Sequence, residues 1–166
     1  MIIREDLFRL EGITSRGIIL SGPGATKDIR RTGNRFLSLP IPPMIDRKDR
    51  EMRVLVCGGR AYSDIVRAFS VLDRLHREAG VDCIIQGGAK GADRLAIEWA
   101  GQSNVPVETY EADWENQGSF AGPARNARML AEGKPDLVIA FPGGRGTADM
   151  MRKARRAGVE VIEIAP

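Results

Sequence analysis

The chain is short of cysteine, histidine, long apolar runs and net charge, and each shortage narrows what it can be. Only Cys57 and Cys83 occur among its 166 residues. They lie far apart inside apolar runs, without CxxC spacing. That argues against a disulfide framework or a thiolate metal site, and both read as small buried hydrophobes in a reducing, cytoplasmic setting. The lone histidine, His76, falls on the polar side of a helical stretch and reads as a surface residue. No apolar run nears the ~20 residues that a membrane-spanning helix needs. The N-terminal MIIRED lacks the basic-then-apolar pattern of a secretion signal.

Net charge is only +3, and it is unevenly placed. Residues 1–51 carry 10 Lys and Arg against 7 Asp and Glu, whereas residues 52–166 carry 15 of each. The neutral balance of the larger part argues against a dedicated nucleic-acid binder. It leaves room for a local anion site.

Residues 1–51 read as a disordered extension or linker. GIIL (17–20) is the only compact aliphatic run there, and LPIPPM holds Pro40, Pro42 and Pro43, which favour extended backbone. SGPGATK lacks the spacing of a P-loop. A small β-hairpin is the alternative for this stretch, and Met52 is a candidate natural start.

From Met52 the pattern becomes regular, with no internal repeat. RVLVC (53–57), VDCIIQ (81–86), VPVETY (105–110), DLVIAF (136–141) and VEVIEI (159–164) predict five strands. Between them, Ile65, Phe69, Leu72 and Leu75 mark one helix face, with Asp64 as N-cap. Ala92, Leu95, Ala96, Trp99 and Ala100 mark a second, and Trp99 and Leu95 read as core. Gly122-Pro123 predicts an N-cap with proline at the first helical position, opening a third helix to about Ala131. A fourth runs from about Thr147 to Ala157 and stops at Gly158. Such alternation predicts an α/β, Rossmann-like three-layer sandwich with a five-stranded parallel sheet of order 3-2-1-4-5.

In that order four loops leave the same carboxyl edge, where open α/β sheets bind ligands. They are CGGR (57–60), GGAKGAD (87–93), EADW (111–114) and PGGRGTAD (142–149). Three are glycine-rich, and each of these carries one cation: Arg60, Lys90 and Arg145. Glycine lets backbone amides approach an oxyanion, and the following helix adds partial positive charge. Together they predict a phosphate-binding edge. The first loop lacks the third glycine of GxGxxG, and no acidic residue closes the second strand, so neither a dinucleotide fingerprint nor a P-loop is present.

These segments resemble the SLOG superfamily, most closely its YspA-like, cpYpsA-related branch. The resemblance rests on Gly58-Gly59-Arg60, Gly87 to Asp93, Ala112-Asp113-Trp114, Gly122 to Met129 and Pro142 to Met150, in that order over about 52–166. It implies a Rossmann-like domain that binds a nucleotide or nucleotide-derived ligand. The ligand residues it implies are Gly58, Gly59, Arg60, Gly87, Gly88, Lys90, Gly91, Asp93, Asp113, Trp114, Arg125, Asn126, Pro142, Gly143, Gly144, Arg145, Gly146 and Thr147. More distantly the chain is similar to the LONELY GUY phosphoribohydrolases, which split the base from a nucleoside 5′-monophosphate, and to the DNA-processing protein A family, which binds single-stranded DNA. The phosphoribohydrolase motif PGGxGTxxE ends in a catalytic glutamate. Met150 holds that position here, and Asp149, one residue earlier, lies about 100° around the helix. Arg125 in RNARM matches their catalytic arginine. If the chain is such an enzyme, Arg125 and Asp149 are the candidate catalytic residues, with Asp113 as the alternative carboxylate in a shifted geometry.

Single residues keep two readings. Asp93 and Asp149 either stabilise a helix dipole or meet ribose hydroxyls or protons. Trp114 either stacks on a base or plugs the core edge. RKARR (152–156) reads as a solvated basic face. A sensor or accessory module without chemistry is the function expected, with an N-glycosidase and a single-stranded nucleic-acid binder as alternatives. No cofactor or metal is expected; a homodimer is plausible by analogy with the phosphoribohydrolases.

Overall fold

The structure is a computed structural model. It describes residues 51–165 in full, and residues 9–14 and 17–21 for their backbone. These two groups belong to separate compact units. In the first, β1 (Arg9–Thr14) and β2 (Gly17–Ser21) pair antiparallel, with a register shift between Leu10 and Gly12. The GIIL run is thus part of β2. The rest of the expected extension, including LPIPPM, lies outside the described residues.

The second unit runs β3 (Arg53–Cys57), α1 (Ile65–Ala79), β4 (Cys83–Gln86), α2 (Ala92–Gln102), β5 (Val107–Thr109), α3 (Trp114–Gln117), α4 (Ala121–Ala131), β6 (Leu137–Ala140), α5 (Arg145–Arg156) and β7 (Glu160–Glu163). Its sheet is parallel throughout, in the order β5-β4-β3-β6-β7. That is the 3-2-1-4-5 order read from the sequence. The strands β4 and β6 are buried along their whole length and β3 nearly so, because helices cover both faces of a parallel sheet. The edge strand β7 instead buries Ile162 and exposes Glu160 and Glu163. In the core, Leu55 pairs with Ile85 on one side and Val138 on the other, and Met129 and Met150 pack onto the same cluster.

Local signals set the helices. The Asp64 side chain accepts from the Arg67 amide at 2.9 Å and caps α1, and Gly80, at φ 66°, ends it. The face α1 buries is Ala68, Leu72 and Leu75; Ile65, expected on that face, is 44 % exposed in the first turn. In α2, Trp99 is core as expected, and its indole N–H donates to Asp73 at 2.8 Å. His76 is exposed as expected, yet its Nδ1 accepts from the Val81 amide and its ring meets Trp99 edge-on.

One boundary differs from the sequence reading. Gly122-Pro123 is not the N-cap of α4, which begins at Ala121 after a 3-10 turn, Gly118–Phe120. Gly122 and Pro123 are its second and third residues. Proline fits there because the first helical amides have no partner within the helix. The helix α5 starts two residues earlier than expected, at Arg145, and Gly158, at φ 74°, follows its end.

Candidate functional site

At the carboxyl edge, a cleft of about 850 Å³ opens where the strand order reverses between β3 and β6. This is the place where α/β sheets of this kind bind ligands. Its walls come from the loops after β3, β4 and β6, from α4, and from the first two turns of α5.

Several of the loop glycines serve contact between the loops. The Gly59 amide donates to the Pro142 carbonyl at 2.9 Å, and the Gly59 carbonyl accepts from the Ala92 amide at 3.3 Å. A Cβ on Gly143 would stand 2.7 Å from the Gly59 nitrogen and 2.2 Å from Thr147 Oγ1; one on Gly91, at φ 78°, would stand 2.1 Å from the Gly59 oxygen. No side chain fits at such separations, so glycine here lets three loops stack backbone to backbone. The start of α2 is thereby closed by the first loop rather than offered to a ligand. Gly144 and Gly146 are different. Both line the cleft, and a Cβ on either would meet nothing within 4 Å.

The start of α5 is open. Its N-cap is Gly144, with no side chain capping it. Among the described residues, the amides of Arg145, Gly146 and Thr147 have no acceptor within the chain. They point their partial positive charge out of the helix end. Arg145 and Thr147 line the cleft with them, Thr147 being almost fully buried. None of the ion pairs among the described residues involves Arg145, Arg125 or Arg60.

The carboxylates, by contrast, are committed. Asp93 is buried, and its Oδ2 accepts from the amides of Gly87 and Ala89 at 3.1 and 3.2 Å, tying the second loop to α2. Burial raises its pKa, against those two amides and the nearby Arg125 charge. Asp149 is paired with Arg152 and Lys153, and its Oδ2 accepts from Asn126 at 3.0 Å. Burial would raise its pKa, but the hydrogen bonds from Lys153 and Asn126 and the charges of Lys153 and Arg152 outweigh it and hold the group below the ordinary aspartate range. A carboxylate so held is a poor proton donor at neutral pH and a weak base. Met150, at the position of the phosphoribohydrolase glutamate, is 1 % exposed and belongs to the core.

The Arg125 guanidinium donates to the Gly87 carbonyl through Nη1 and to Asn126 Oδ1 through Nε at 3.2 Å, and burial lowers its pKa. Asn126 is itself buried, and its Nδ2 also donates to the Gly146 carbonyl at 3.1 Å. Asn126 therefore links Arg125 on α4 to the first turn of α5, with its hydrogen-bonding groups used inside the protein. Cys57 lines the cleft as a buried thiol with its pKa pushed up to about 12 by burial, and is not a nucleophile at neutral pH.

Of the sequence-predicted site residues, Gly58, Gly59, Arg60, Gly87, Asp93, Trp114, Arg125, Asn126, Gly144, Arg145, Gly146, Thr147 and Asp149 line the cleft. Gly88, Lys90, Gly91, Asp113, Pro142 and Gly143 do not. Lys90 is exposed. Asp113 is turned to its own helix, capping α3 by accepting from the amide and side chain of Asn116. Trp114 is 51 % exposed, so it does not plug the core, and the Arg60 guanidinium lies over its ring at 5.4 Å. Ser119, Pro123 and Arg152 line the cleft unanticipated. Helical spacing reveals Arg152, since positions 145, 149 and 152 share one face. Among the described residues no cluster of His, Cys, Asp and Glu fits a metal ion, and no helix is long and apolar enough to cross a membrane.

Comparison with known proteins bears on the family and the fold. The profile of the YspA, cpYpsA-related SLOG family (YAcAr) matches residues 52–117. Gene 61 protein of Mycobacterium phage D29 is 42 % identical over 118 residues, which cover 66 % of this chain and 94 % of that protein. The X-ray structure of DNA processing protein A (DprA) from Streptococcus pneumoniae matches with a TM-score of 0.57 at 23 % identity, over 70 % of this chain. The match spans about half of that structure, 51 %, and at this identity the likeness is one of fold.

Proposed function

The chain belongs to the YspA, cpYpsA-related SLOG family, and from that premise we propose that its cleft holds a nucleotide or nucleotide-derived ligand by a phosphate group, as a sensor or accessory module that performs no chemistry on it. The observation that carries this reading is the open first turn of α5. Among the described residues, the amides of Arg145, Gly146 and Thr147 have no acceptor and Arg145 has no ion-pair partner, and these groups line the cleft with Gly144 and Gly146, where a Cβ would meet nothing within 4 Å. A phosphate seated there takes amide hydrogen bonds, the helix-end charge and a guanidinium together. Arg125, held by Gly87 and Asn126, adds a second fixed positive charge.

The same cleft is poorly equipped for glycosidic hydrolysis. The glutamate position is Met150, Asp149 is tied to two cations, and Asp93 holds a loop. Nucleic-acid binding gains little from the basic stretch of α5, because Arg152 and Lys153 are paired with Asp149 and Arg155 with Glu163.

The test is a thermal-shift panel on the full chain with AMP, GMP, CMP, NAD, ADP-ribose and inorganic phosphate. The reading predicts a rise in melting temperature with at least one nucleotide and its loss in Arg145→Ala. Loss of a charge-assisted contact of this kind weakens binding by about 1.5–3 kcal/mol. No shift with any of them, or shifts unchanged by Arg145→Ala, contradicts it.

A further inference from the structure

We infer that Trp114 and Arg60 form a seat for the ligand's heterocyclic base, so that the cleft reads the two ends of a nucleotide on separate elements: phosphate at the first turn of α5, base on the Trp114–Arg60 wall. The inference rests on the nucleotide reading above and adds to it which part of the ligand goes where and by what force.

Three observations carry it. First, Trp114 lines the cleft and is half exposed, whereas Trp99 is buried to 1 % in the core. An exposed indole on a cleft wall is a flat apolar surface that a planar ring covers well. Second, the Arg60 guanidinium lies over that ring at 5.4 Å and has no carboxylate partner among the described residues. A guanidinium in this position is planar and weakly hydrated, so it extends the stacking surface instead of being spent on an ion pair. Third, the turn that carries Trp114 is held by its own bonds. Asp113 accepts from the Asn116 amide at 3.1 Å and from the Asn116 side chain at 2.9 Å, and the Trp114 amide donates to Ala112 at 3.0 Å. Gly122 lies against the edge of the indole, where a Cβ would reach 3.4 Å from Cη2. The platform is thus positioned before any ligand arrives.

Stacking tolerates base identity, because every base has a π-face. The seat therefore favours purines over pyrimidines by contact area and separates adenine from guanine only weakly.

The experiment is a tryptophan-fluorescence and calorimetric titration of the full chain with AMP and with ribose 5-phosphate, which carries the phosphate but no base. Expected is tighter binding of AMP than of ribose 5-phosphate, by about tenfold to a hundredfold, with a fluorescence change for AMP alone. Trp114→Ala removes that advantage and leaves ribose 5-phosphate binding unchanged. Trp114→Phe keeps AMP affinity within a few-fold while abolishing the fluorescence change, since Trp99 is shielded. Equal affinity of the wild-type chain for the two ligands overturns the base seat but leaves the phosphate reading intact. Equal weakening of both by Trp114→Ala, with melting temperature retained, also overturns it. Binding of neither ligand overturns the seat, and the nucleotide reading falls with it when the wider nucleotide panel also gives no melting shift.

Discussion

Asn126 Nδ2 stands 3.0 Å from Asp149 Oδ2, and the same nitrogen donates to the Gly146 carbonyl at 3.1 Å. The carboxylate nearest in sequence to the expected catalytic position is therefore part of the frame that joins α4 to α5. Asp149→Asn weakens that frame and removes a negative charge from the cleft. Nucleotide affinity is expected to stay level or rise, with a stability loss of about 1 kcal/mol from the part-exposed ion pairs. Calorimetric titration alongside a melting curve checks both. A fall in affinity would instead make Asp149 a ligand contact.

The glycines of the second and fourth loops divide into two kinds, and substitution separates them. Gly146→Ala adds a methyl into open space in a helical turn, so stability should hold or improve by up to about 1 kcal/mol. Ligand affinity should fall at least about tenfold, because the methyl occupies the phosphate seat. Gly91→Ala is the converse. It forces a Cβ to 2.1 Å from the Gly59 oxygen at positive φ, with an expected loss of about 2–4 kcal/mol. Denaturant titration of both variants decides the matter. A Gly146→Ala protein that binds normally would remove the phosphate from the start of α5.

Asp93 sets a pH dependence of definite sign. Its pKa is raised in the folded chain by burial, so the folded state holds the proton more tightly than the unfolded one. Asp93's contribution to stability is then full below the ordinary aspartate pKa and is lost as pH rises through the folded value. Asp149, with its pKa lowered, works in reverse: its contribution is present above the ordinary value and is lost as pH falls through the folded one. Asp93→Asn keeps one oxygen for the Gly87 and Ala89 amides and should flatten the profile just above the ordinary aspartate range. Asp93→Ala leaves both amides unsatisfied and should cost about 1–3 kcal/mol. Melting temperatures across mildly acidic to neutral pH test the pair. An unchanged profile in Asp93→Asn would contradict the assignment.

Much of this was legible in the sequence, for physical reasons. The aliphatic runs at 53–57, 81–86 and 136–141 had to be buried on both faces, which dictated a parallel sheet and hence a shared carboxyl edge. Asp64 and Gly80 announce the ends of α1 through side-chain chemistry and φ freedom. What stayed hidden concerns which backbone approaches which. Glycine composition does not say whether a loop meets a phosphate or another loop, so Gly88 and Gly91 read as ligand contacts although neither lines the cleft. Asp113 read as a site residue because it stands in the ADW segment at the tip of the third strand, while its carboxylate is consumed by Asn116 three residues on. Gly122-Pro123 read as a helix start because nothing in those two residues reports the turn at 118–120 that carries the chain into α4 two residues earlier.

The central claim is that the cleft holds a nucleotide and does not cut it. It is met most directly by incubating the full chain with AMP, GMP and CMP and recording melting shift and free base in the same samples over time. The account predicts a shift of several degrees for at least one of them with no base released above the protein-free control. Free base accumulating with time, and lost in Arg125→Ala, would contradict it and make this cleft an N-glycosidase site.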